Sequence, residues 1–116
     1  MRNHARLLLL CGLLAACTAK DWRAEAIANA EDTVRAQVND PKAAFSHLQI
    51  TGDSSTGQTC GFVTAKVGSL TKGARFIIYI DGAGPFVEGG MGHTFMSKDD
   101  FDWAWLNDCL HEGYKA

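Results

Sequence analysis

Apolar side chains recur every three or four positions after residue 21, at Ile27, Ala30, Val34 and Val38, while Glu25, Asp32 and Arg35 fall elsewhere on the wheel. This spacing predicts an amphipathic helix over Asp21 to Val38, with Asp21 as its N-cap. "NDP" at Asn39 to Pro41 ends it, because the residue before a proline avoids the α region. From Phe45 onward the period changes to two. Leu48 and Ile50 alternate in a first strand, and "GDSSTGQ" follows as a turn-rich loop. "TCGFVTAKV" is a second strand, with Cys60, Phe62 and Thr64 on one face and Val63, Ala65 and Val67 on the other. "GSLTKG" turns the chain back into "ARFIIYID", whose unbroken apolar run from Phe76 to Ile80 predicts a central strand buried on both faces. A glycine-rich segment then leads to a short fourth strand at "FVEG".

The C-terminal helix announces its start. Ser97 is the N-cap, Asp100 stands three residues on as in a capping box, and Met96 with Phe101 occupies the two positions of a hydrophobic staple. Phe101, Trp105 and Cys109 repeat every fourth residue, which puts Cys109 on an inward, aromatic face. The order helix, three or four antiparallel strands, helix predicts an α+β fold with both helices over one face of the sheet.

The first residues follow a different rule. Arg2 and Arg6 precede an apolar stretch, Leu7 to Leu14, interrupted only by Cys11 and Gly12. That is the layout of an export signal, too short to span a bilayer. Leu14-Ala15-Ala16-Cys17 resembles the lipobox of bacterial lipoproteins, in which the cysteine thiol receives diacylglycerol and then becomes the first residue. The resemblance implies a signal peptide over 1–16, lipid attachment at Cys17, a tether over 17–21 and a single domain over 22–116. A cut after Ala19, with Cys17 and Ala19 at the two small positions, is the competing reading. Thr18 after Cys17, where aspartate would retain a lipoprotein, resembles sorting to the outer membrane.

Four cysteines are then accounted for as follows. Cys11 leaves with the signal, Cys17 is lipidated or removed, and Cys60 and Cys109 remain. An even remainder in an oxidising compartment reads as one disulfide, and closing a loop of this length stabilises a fold by roughly 4 kcal/mol. The alternatives are a buried free pair or a metal site. For a metal only His111 stands near Cys109, and no Cys or His stands two to four residues from Cys60, so neither metal nor cofactor is expected.

The chain has 11 basic and 13 acidic residues, and loss of Arg2 and Arg6 leaves 9 against 13, four net negative. Nucleic acid is excluded as an expected partner. No acid occurs between Asp53 and Asp81, whereas Lys66, Lys72 and Arg75 do; the expectation is three solvated side chains along strand edges, with a local basic patch as the alternative.

Catalytic patterns are thin. "GDSS" at Gly52 to Ser55 matches the neighbourhood of a serine-protease nucleophile over four residues of a turn. "DGAGPFVEGGMG" lacks the Gly-Lys-Ser/Thr ending of a phosphate cradle. His47, His93 and His111 have no carboxylate or nucleophile beside them in a local motif. The expectation is a non-enzyme with no small-molecule substrate.

Two family resemblances add to this. "DPKAAF", Asp40 to Phe45, and "CGFVTAK", Cys60 to Lys66, resemble the D-P-x-S-A-x-F and C-G-x-V-N-A-K segments of a family of small bacterial periplasmic proteins and lipoproteins. Ala43 stands for serine, Phe45 comes one residue early and Thr64 stands for asparagine. That likeness implies a fold and a compartment, and no activity. "KGARF", Lys72 to Phe76, is similar to the S-G-x-R-Y loop of periplasmic inhibitors of c-type lysozyme, with lysine for serine and phenylalanine for tyrosine. It implies a partner-binding loop in which Lys72 and Arg75 face the acidic cleft of the enzyme. The leading expectation is a lipid-anchored periplasmic module, on the outer membrane, that binds an unknown envelope protein; the alternative is a lysozyme inhibitor.

Overall fold

A computed structural model describes residues 22–92 and 95–115. The expected signal, Cys17, the tether and the Asp21 cap lie outside the described residues. Helix α1 spans Trp22–Gln37. It is followed by strands β1 (Ala44–Thr51), β2 (Gln58–Val67), β3 (Leu70–Tyr79) and β4 (Phe86–Val87), then a short 3-10 turn at Glu88–Gly90. Helix α2 spans Lys98–Ala104 and continues as a π-helical segment over Trp105–Leu110. The fold is α+β, with one antiparallel sheet in the order β1-β2-β3-β4.

Helix α1 ends through Asn39 as well as through Pro41. Asn39 adopts a left-handed conformation (φ 55°), its N–H donates to the Ala36 carbonyl and the Asp40 N–H donates to the Arg35 carbonyl. Those two bonds make a Schellman motif, which satisfies carbonyls the helix end would otherwise orphan. Asp40 then reaches across to the sheet. Its carboxylate accepts the N–H of Lys66 at 2.9 Å and that of Lys42 at 2.9 Å, and the first of these bonds is the main cause holding its pKa below the usual carboxylate range. "DPKAAF" and "CGFVTAK" therefore meet in space.

The two helices lie on opposite faces of the sheet, which corrects the expectation of one shared face. Side chains alternate along a strand, so each strand serves both faces. Val63 and Ala65 of β2 and Ala74 and Phe76 of β3 pack with Ala30, Val34 and Val38 of α1. Cys60 of β2 and Ile77 of β3 pack with Phe101, Ala104, Trp105 and Cys109. The strand-two alternation read from sequence already assigned Cys60 and Val63 to different sides.

Gly61 belongs to the α1 side and has no room for a side chain. A Cβ there would stand 2.5 Å from Leu48 Cδ2 and 3.2 Å from the Phe76 ring. In β1 a bulge between Ser46 and Gln49, with His47 at φ 53°, puts Phe45 and Leu48 on the same face although they are three residues apart.

The disulfide is present. Cys60 and Cys109 are joined across 49 residues of sequence and both are fully buried. Ser97 caps α2, its hydroxyl accepting the Asp100 N–H at 3.2 Å. The π segment leaves the Asp108 carbonyl to be satisfied by side chains of the sheet, Thr51 at 2.8 Å and Gln58. The Tyr79 hydroxyl donates to the Asp108 carboxylate, and burial first, then this bond, pushes its pKa up. Past the helix, Tyr114 donates to the His47 carbonyl at 2.8 Å, and Gln49 pairs with both backbone groups of Lys115. These contacts stitch the C-terminal segment to β1, the outer strand of the sheet.

Candidate functional site: a cleft beside an arginine clamp

The fourth strand is only two residues long and pairs Phe76 with Val87 and Ile77 with Phe86. The first half of β3 therefore has no strand beside it on that edge. The 3-10 turn and the start of α2 stand off from it and leave a cleft of about 680 Å³. Lys72 and Gly73 form one wall, Glu88 to Met91 the second, and Phe95, Met96, Lys98, Phe101 and Asp102 the rest. Phe95 is 81% exposed, an unusual position for a phenylalanine.

One side of the cleft is fixed by Arg75. Its Nε donates to Glu88 Oε1 at 3.0 Å and a terminal nitrogen to Glu88 Oε2 at 2.8 Å, a bidentate fork. The same terminal nitrogen reaches Asp102 Oδ1 at 2.7 Å, and Lys98 Nζ reaches Asp102 Oδ2 at 2.6 Å. The Arg75 backbone N–H also donates to Glu88, at 2.8 Å. Below, the guanidinium lies over the rings of Phe101 and Trp105, at 5.1 and 5.3 Å from their centroids. Arg75 thus ties β3, the 3-10 turn and α2 together. Its hydrogen bond holds the Glu88 carboxyl below the usual range, while Lys98 first and Arg75 second do the same for Asp102.

The candidate binding residues of "KGARF" are placed differently from expectation. The segment is strand, since the hairpin turn needs only Gly68 and Ser69 and the pairing runs from Val67–Leu70 through Ala65–Lys72 to Phe62–Arg75. Gly68, at φ 64°, supplies the left-handed residue such a tight turn requires. Lys72 is exposed on the cleft wall, whereas the Arg75 charge is already engaged by two carboxylates. What the segment presents outward is Lys72.

The remaining candidates separate. His47 is exposed and sets its ring edge-on to Phe62 at 6.0 Å; His111 is exposed after the π segment; His93 lies outside the described residues. In "GDSS", Asp53 Oδ1 accepts the N–H groups and hydroxyls of both Ser55 and Thr56, a turn-fixing role that depresses its pKa strongly, the Thr56 backbone bond first. Asp81 likewise accepts the Ala83 N–H at 2.9 Å in the loop before Pro85.

Comparison with protein-family models, with curated proteins and with solved structures finds no match for the chain. The geometry is therefore the basis for a functional reading. Among the described residues no helix is long and apolar enough to cross a membrane, and no group of three His, Cys, Asp or Glu side chains is placed to hold a metal ion.

Sequence reasoning missed the cleft. Its signal was the cluster of Met91, Phe95 and Met96 within a glycine-rich connection, where apolar residues are not needed for a turn.

Proposed function

We propose that the chain is a lipid-anchored periplasmic module without catalytic activity of its own, held through Cys17 on the outer membrane, that binds an envelope protein in the cleft beside Lys72. The observation that carries the reading is the apolar cleft itself, lined by Met91, Met96 and Phe101 together with Phe95, whose ring is exposed. A clamped charge network on one wall keeps such a cleft open and pre-shaped, which lowers the ordering cost of binding. The orientation also supports it. Ala26 and Asn29 of α1 lie beside Thr59, Tyr79 and Gly82, whereas the helix end at Asp40 touches Lys66. Sixteen helical residues rise about 24 Å, so an anchor joined five residues before Trp22 holds one end of the sheet and leaves the Lys72 end pointing away.

Two measurements test this. Mass spectrometry of the mature N-terminus is expected to show acylated Cys17, and an unmodified start at Lys20 overturns the anchor. Affinity capture from envelope extracts is expected to recover a partner with the wild-type domain and to lose it with Phe95→Ser and Met96→Ser; equal recovery overturns the cleft. Inhibition of c-type lysozyme is not expected, because the Arg75 guanidinium is engaged within the fold.

A further inference from the structure

Helix α2 and its π extension bury Phe101, Ala104, Trp105 and Cys109 against the sheet. The opposite face is apolar too. Trp103 is 64% exposed, Leu106 45% and Leu110 44%. Trp103 stands in the α-helical part and Leu106 and Leu110 in the π-helical part, and all three are turned away from the buried side of the segment, forming one apolar ridge. Asp99 precedes Trp103 by four residues and continues the same stripe, and Asp100 flanks it. Over Ser97 to Glu112 the acids are Asp99, Asp100, Asp102, Asp108 and Glu112, against Lys98 alone. Asp102 is taken by Arg75 and Lys98, and Asp108 by Tyr79. Asp99, Asp100 and Glu112 are exposed and make no ion pair among the described residues.

We propose that this outer face is a docking site for a basic amphipathic helix of a protein partner. Charge decides between occupants. An apolar ridge flanked by unpaired carboxylates is repelled by an anionic lipid surface and matched by a helix whose leucine-type seam is edged by lysine or arginine. The domain's net negative charge steers the same class of partner toward it. Leu106 is the centre of the seam, and Trp103 supplies the large flat side chain that anchors interfaces of this kind. This deepens the binding reading and rests on it for the existence of a protein partner, but it uses a surface separate from the cleft.

The test uses the soluble domain from Trp22 onward, still disulfide-bonded, and three synthetic peptides: a leucine–lysine amphipathic helix, its leucine–glutamate counterpart, and a lysine peptide of the same composition with the apolar face scrambled. Binding is read by calorimetry. The leucine–lysine helix is expected to bind in a salt-dependent manner, at least tenfold more tightly than either control. Leu106→Ser and the pair Asp99→Asn and Asp100→Asn are each expected to weaken it at least tenfold; all three positions are exposed, and circular dichroism verifies that the variants fold. Variants that bind as wild type overturn the proposal, as does equal binding of the scrambled peptide or of the glutamate helix. Association of the domain with itself that Leu106→Ser abolishes also overturns it, by making a second copy the occupant. The cleft is tested separately by Phe95→Ser and the anchor by the N-terminal mass, so failure of either leaves this result readable.

Discussion

The two faces of the sheet are held by different means. On the α1 side the helix presents small aliphatic side chains, Ala30, Val34 and Val38, to Val63, Ala65 and Ala74, with Phe76 and its edge-on partner Phe45 at 5.7 Å the large groups there. The small side chains of α1 let this 16-residue helix sit close to the strands, and dispersion and burial hold it there. On the α2 side the contacts are aromatic and covalent. Trp105 meets Tyr114 edge-on at 4.9 Å and Phe62 at 5.8 Å, with the Cys60–Cys109 bond beneath and the Arg75 clamp at the edge. Helix α2 has seven residues and a π extension of six, too short to be stable alone, so it depends on these cross-links. The difference teaches where function is to be sought: the face that needs a bond and a clamp to hold its helix carries the exposed apolar seam, and the cleft opens at its edge, with Met96 and Phe101 on that side and Met91 packed toward the other.

The comparison is broken most severely by removing the bond. The double variant Cys60→Ala and Cys109→Ala is expected to lose about 4 kcal/mol in denaturant unfolding, from the loop of 49 residues it reopens. Tryptophan emission should report loosening of the α2 side first. On the other face the loss comes from packing alone. Val34→Ala, at a fully buried position, is expected to cost about 2.5 kcal/mol, with no change under reductant beyond that of wild type.

The clamp comes next. Arg75→Met is expected to cost about 2 kcal/mol at pH 7, because Glu88 and Asp102 lose their shared cation. It should also change the acid limb. Both carboxyls titrate below their unfolded values, near 4.3 and 3.9, so they stabilise the wild type above those values and lose that contribution as the pH falls through the lower folded ones. Unfolding measured from pH 6 to pH 2 is therefore expected to be shallower in Arg75→Met than in wild type; identical slopes would remove the clamp from the account. The smallest effect is at the cap. Ser97→Ala is expected to lower stability by about 1 kcal/mol, through the orphaned Asp100 N–H.

Much of this division is legible in the sequence. Alternation in "TCGFVTAKV" separated Cys60 from Val63, the four-residue repeat brought Cys109 onto the face of Phe101 and Trp105, and Ser97 marked the start of α2. Element order states neighbours along the chain and not the side of a strand each helix covers, so the expectation of one shared face gives way to two. "KGARF" read as a loop because Thr71 to Gly73 carries a polar and glycine-rich signature. In the fold, pairing with Thr64, Ala65 and Lys66 of β2 overrides that local preference.

The sequence by itself determined the order of the elements, the alternation along β2 and the pairing partner of Cys60, because periodicity, capping and cysteine arithmetic are local or countable properties. Only the tertiary structure decided that Arg75 is a clamp and not a free cation, that Asp40 secures Lys66, and that Met91, Phe95 and Met96 share a cleft. The first two depend on groups that meet across 13 to 27 residues of chain, and the cleft depends on the strand edge that the two-residue β4 leaves open. Charge and hydrophobicity in a sequence say what a side chain can do; burial and neighbours decide which of those capacities is already used within the fold and which is left for a partner.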